Sequence, residues 1–137
     1  MMRKLMIVGA ALAVTACSTG PQPARPFDDP AVQKLYNMPT PEYYATLKIA
    51  TMVAQNCARY SYDSALDLMV NEKRNEVGRG SLSALSLRNA IDLETEVSQR
   101  SFAAKHGVEL TGADLCMAAD AESLENSAIA AVLVPVG

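Results

Sequence analysis

The sequence predicts an all-α fold, a small bundle of about four helices with one central helix. Three observations carry this. Apolar residues recur at spacings of three and four after residue 40, the period of an amphipathic helix. Helix starts and stops punctuate that pattern at Thr40-Pro41-Glu42, Asp63, Gly78 to Ser81 and His106-Gly107. No internal repeat and no credible set of alternating strands interrupts it.

Residues 31–39, AVQKLYNMP, predict a short helical turn. It ends at Met38, because the residue before a proline is pushed out of helical geometry. Thr40 as N-cap, Pro41 at the first helical position and Glu42 in the first turn then start a helix reaching about Arg59. Tyr43, Leu47, Ala50, Ala54 and Cys57 form its stripe, with Thr46 and Val53 at the edge. Asp63 or Ser61 caps a second helix, with Leu66, Met69, Val70 and Val77 inward, ended by Gly78 and Gly80.

The third helix, about Ser81 to His106, has two apolar sides. Leu82, Leu85, Ala90, Leu93, Val97 and Ala104 share one, and Ala84, Leu87, Ile91 and Phe102 share nearly the opposite one. A helix with two apolar sides is wedged between neighbours, so this one is expected at the centre of the domain. Arg88, Asn89, Asp92, Glu96 and Gln99 form a polar strip between the sides, the best surface candidate for a contact site. His106 and Gly107 end the helix, the imidazole favoured by the dipole and the glycine by its conformation. After a connector at 108–116, a fourth helix runs from Ala118 or Asp120 to Val134. Residues 128–134 admit a strand as the alternative, but their alanines favour helix.

The first 20 residues carry a different signal. Arg3 and Lys4 precede an apolar run from Leu5 to Val14, followed by small residues. This is a secretory pattern, and the run is too short for a bilayer span of about 20 residues. Val14-Thr15-Ala16-Cys17 resembles a bacterial lipobox, with Val and Thr in place of the commoner Leu and Ala or Ser. The resemblance implies that residues 1–16 are a lipoprotein signal peptide and that Cys17 becomes the lipidated first residue. Several acyl chains give near-permanent anchoring where one does not. Ser18 in place of Asp implies the outer membrane, facing the periplasm. Residues 17–30, with four prolines after Cys17, are expected to be a tether, and residues 31–137 the helical domain.

Once Cys17 is assigned to a lipid, Cys57 and Cys116 remain. In an oxidising compartment the default is one disulfide stapling the bundle, closing a loop of about 60 residues and contributing about 4 kcal/mol in the chain-entropy model. A redox-active pair lacks support, since there is no Cys-x-x-Cys spacing. One histidine and these cysteines do not make a metal site, and no cofactor is implied.

The sequence shows no catalytic constellation. His106 reads as a helix-end contact, Gly78-Arg79-Gly80-Ser81 lacks the spacing of a phosphate loop, and Asp92 with Glu96 reads as a solvated face. Of 12 basic residues, removing Arg3 and Lys4 leaves ten against 15 acidic ones, a charge of about −5, which argues against nucleic acid as a partner. With no Trp and every Tyr between positions 36 and 62, a carbohydrate groove is disfavoured.

The chain also resembles small envelope proteins of Gram-negative bacteria. The resemblance rests on the proline-rich tether, Met38 to Tyr44, the two domain cysteines, and Arg79 to Glu94. It brings no activity and no catalytic residues. The expectation is therefore a lipid-anchored envelope protein that is not an enzyme and acts by binding. It would be a structural or accessory factor near the outer membrane, partnered by the membrane through its lipid and by another envelope protein. A small-ligand carrier or sensor, with a cavity lined by Leu87, Ile91 and Phe102, is the second reading. A cell-wall-acting enzyme is the third.

Overall fold

The computed structural model describes residues 20–137. The signal segment and Cys17 lie outside the described residues. The fold is mostly helical, with seven helices and one two-stranded sheet among the described residues.

Asp29 and Pro30 start α1 (Pro30–Asn37). The Asp29 carboxylate accepts from the amides of Ala31 and Val32, and Pro30 occupies a position where no amide is needed. Ala31, Val32 and Leu35 are buried. The expected tether is already part of the domain from Ala24 onward. The Ala24 amide donates to Asp63 at 2.8 Å, and the Phe27 ring meets Tyr36 edge-on at 5.0 Å. The physical reason is Phe27, an apolar ring that gains by leaving water.

α2 (Thr40–Gln55) is the central helix, in place of the expected third one. Tyr43, Ala45, Thr46, Ile49, Ala50 and Val53 are all buried, and the helix touches five other helices and the sheet. Glu42 and Lys48 are its only charged residues, and its alanines let neighbours approach closely. Thr40 does not cap the helix. It is the first helical residue, and its hydroxyl accepts from buried Arg74 at 3.3 Å. The helix stops at Gln55, short of the expected Arg59.

The chain then forms β1 (Tyr60–Tyr62), and Asp63 caps α3 (Ser64–Glu76) by accepting from the Leu66 amide at 3.0 Å. Leu66 and Val70 face the core as expected, whereas Val77 is exposed beyond the helix end. Gly78 adopts a φ of 74°, which glycine allows at no steric cost.

The expected third helix is two helices, α4 (Ser81–Ser86) and α5 (Arg88–His106), broken at Leu87. Phe102 is the only buried residue in either. Of the side holding Leu82, Leu85, Ala90, Leu93, Val97 and Ala104, every residue is exposed. The periodicity is real, but α5 carries six charged residues besides its histidine, and only one of its sides meets α2.

The expected fourth helix is also divided. α6 (Cys116–Leu124) is capped at Glu125 and followed by Asn126, which adopts a φ of 48°. Ser127 then accepts from the Ala130 amide and starts the single turn α7 (Ala128–Ala131). β2 (Leu133–Pro135) follows and pairs antiparallel with β1, with Tyr60 opposite Pro135, Ser61 opposite Val134 and Tyr62 opposite Leu133. The strand alternative thus holds for the last residues of that run. Its hydrogen bonds go to a segment more than 70 residues earlier, where no local pattern could show them.

Candidate functional site

Three features of the described residues bear on function: the disulfide, a buried charge cluster beside a groove, and the exposed side of α4 and α5.

Cys57 and Cys116 are bonded, with their Cα atoms 4.9 Å apart. Cys57 lies in the loop after α2, and Cys116 is the first residue of α6. Beside the bond, the Leu115 amide donates to the Asn56 carbonyl at 3.0 Å, and the Cys116 amide to Asp114 at 2.8 Å. The staple therefore ties the start of α6 to the loop that follows the central helix. Asp114 lies close to both sulfurs. Because the thiols are consumed in the bond, the three groups do not form a metal-ligand set.

The charge cluster sits where α5, α6 and α7 meet. Gly107, with a φ of 62°, stops α5 just after Lys105 and His106. Glu122, 2% exposed, faces them from α6. His106 Nε2 lies 2.6 Å from Glu122 Oε1, and Lys105 Nζ lies 2.9 Å from the same oxygen and 2.6 Å from Glu125. A carboxylate only accepts, so the imidazole carries its proton on Nε2. Burial alone would raise the Glu122 carboxyl. Hydrogen bonds from Ser127, Lys105 and His106 outweigh it and hold the group below the usual carboxylate range. The same contacts, Glu125 first, raise Lys105. His106 holds the expected helix-end position and makes, in addition, a direct contact to a buried acid. Sequence reading missed Glu122, because a separation of 16 positions along the chain hides their proximity.

An open groove of about 300 Å³ runs beside this cluster, with Met38, Ile49, Val97, Phe102 and Ile129 among its walls. Of the three residues expected to line a ligand cavity, it uses only Phe102. Leu87 and Ile91 lie elsewhere.

The polar strip lies on the surface. Arg88, Asn89, Asp92 and Glu96 are exposed, and Glu96 pairs with Arg100. Gln99 is turned inward, its amide 3.4 Å from the Met52 sulfur. Next to the strip stands the uncovered apolar side, with Leu82 84%, Leu85 64%, Leu93 65% and Val97 47% exposed. These four were legible as a side of a helix; the sequence held no sign that nothing in the chain would cover it.

Among the described residues, no helix is long and apolar enough to cross a membrane. Comparison with protein-family models, with curated proteins and with solved structures found no match.

Proposed function

We propose that the protein is a lipid-anchored accessory factor of the bacterial cell envelope, held to the outer membrane through Cys17 and acting by binding another envelope protein. The observation that carries the binding role is the uncovered side of α4 and α5. On α5, Ala90, Leu93, Val97 and Ala104 stand at i, i+3, i+7 and i+14, a narrow stripe of the kind that one helix offers another lengthwise. Large exposed apolar side chains that share one face mark interaction surfaces more often than chance. The neighbouring Arg88, Asp92 and Glu96 supply a charged rim that selects the partner. The partner is thus a protein presenting an apolar helix.

The anchor agrees with the packing of the N-terminal segment. Ala24, where the chain docks, lies seven positions after Cys17, a stretch that spans at most about 25 Å. The domain is therefore held close to the membrane surface, where an envelope partner is concentrated.

The test is site-specific photocrosslinking in cells, with the probe at Leu85 or Leu93 and a control at Glu72 on α3. Adducts to one membrane-associated protein from the first two positions, absent from the control, are expected. No adduct at either position would overturn the binding role. Cys17→Ser, in the same strain, is expected to leave a soluble or uncut chain. Retention of that variant in membranes through a carbonate wash would overturn the anchor.

A further inference from the structure

A different part of the surface presents hydrogen-bond acceptors that the fold does not use up. Between α2, β1 and α3 lies an open pocket of about 450 Å³, with Tyr43, Tyr44, Lys48, Tyr62, Asp67 and Asn71 in its wall. Asp67 and Asn71 stand one turn apart on α3, so their side chains share a side.

Two phenols converge on the Asp67 carboxylate, Tyr62 at 2.8 Å and Tyr43 at 3.3 Å. Burial first, and then the Asp67 charge, push both phenols well above the usual tyrosine range. They therefore stay protonated and donate. A carboxylate offers about four acceptor positions, and the phenols occupy two. Among the described residues, no Lys, Arg or His lies within ion-pair distance of Asp67. One turn along, Asn71 Oδ1 is buried and has no hydrogen-bond partner within the protein. The pocket thus combines a carboxylate without a counter-cation, an orphaned carbonyl oxygen and tyrosine rings.

That combination selects the ligand by chemistry. An anion is repelled by Asp67. A divalent metal ion requires about six oxygen ligands, more than this wall supplies. An ammonium group brings three donors and a positive charge, which matches the free positions on Asp67, and a cation is favoured beside aromatic rings. Arg74 already lies over the Tyr43 ring, 4.2 Å from its centre, so Tyr44 and Tyr62 are the rings left for a ligand cation. Lys48, exposed at the edge of the same pocket, disfavours a second positive charge and pairs with a carboxylate.

We propose that this pocket binds a small zwitterion of the amino-acid class, its ammonium donating to Asp67 and its carboxylate facing Lys48. The site is separate from the α4–α5 surface and does not depend on the protein-binding role.

The experiment is an NMR titration of the folded protein with three matched probes: alanine, ethylamine and propionate. Saturable shifts of the Asn71 side-chain amide and the Tyr62 ring are expected with alanine, weaker ones with ethylamine, and none with propionate. Asp67→Asn is expected to weaken alanine at least tenfold. Lys48→Ala, at an exposed position that leaves the fold intact, is expected to abolish the preference for alanine over ethylamine. Absence of saturable shifts with both amines in the wild-type protein would overturn the proposal. So would propionate binding at the same residues, or an unchanged preference in Lys48→Ala. If Asp67→Asn melts early, Tyr44→Leu replaces it, and unchanged affinity there counts against the site.

Discussion

His106 Nε2 on the last turn of α5 lies 2.6 Å from Glu122 Oε1 on α6, and neither side chain is more than 8% exposed. Lys105 meets the same oxygen from the surface. One buried carboxylate therefore binds the end of the longest helix to the region that the disulfide also secures.

This makes the fold acid-sensitive at one identifiable place. The Glu122 carboxyl is held below its ordinary value of 4.5, so the unfolded chain binds its proton more readily than the folded one. The resulting stability is fully present above pH 4.5 and is lost as pH falls through the lower folded value. Glu122→Gln is expected to cost about 2–3 kcal/mol at pH 7, since it leaves two donors without their anion. Thermal melting at pH 7 and pH 3 checks this: the gap between variant and wild type should shrink at the lower pH. A gap independent of pH would refute the assignment.

The disulfide makes a separate contribution. Cys57 and Cys116 are 59 residues apart, a separation that corresponds to about 4 kcal/mol in the chain-entropy model. Cys57→Ser is expected to lower the unfolding free energy in denaturant by most of that amount and to leave Cys116 open to alkylation. Intact mass with and without reductant, after alkylation, measures the second effect. A Cys116 that reacts in the unreduced wild-type protein would exclude the bond.

Arg74 is fully buried without a carboxylate partner at ion-pair distance among the described residues. Its guanidinium donates to the carbonyls of Tyr36 and Met38 and to the Thr40 hydroxyl, closing the corner between α1 and α2. Arg74→Lys keeps the charge but loses the planar fork that reaches all three acceptors at once. A loss of about 2 kcal/mol in urea denaturation is expected, larger than most surface changes produce. An unchanged midpoint would show that the corner holds without it.

Leu93→Glu and Val97→Glu test the uncovered side of α5 from the opposite direction. Leu93 faces water and Val97 stands half-exposed at the groove's edge, so stability should change by no more than about 0.5 kcal/mol at the first and about 1 kcal/mol at the second. Crosslinking from Leu85 should nevertheless disappear. A large loss of stability would mean that these residues support the fold and would remove them from the binding surface.

Local chemistry was readable without the fold. Asp63 as a cap, Gly78 as a stop and the His106-Gly107 helix end act within one turn, so the residues that create them are neighbours in sequence. The breaks at Leu87 and at Asn126 were harder, since each falls inside an otherwise continuous apolar pattern. Asn126-Ser127 does carry a signal, a residue tolerant of left-handed geometry followed by a cap, but it is weaker than glycine or proline.

By itself, the sequence determined that the described chain would be mostly helical, where several of its helices begin and end, and which apolar residues share a side. Only the tertiary structure decided which of those sides is covered. A period of three to four says that a helix is amphipathic but not what lies opposite, so α2 and α5 looked alike until α2 acquired neighbours on several sides and α5 on one. The same holds for the β1–β2 pairing, the Glu122 cluster and the Asp67 pocket. Each brings together residues far apart in the chain, and their energies depend on burial, which exists only once the core has formed.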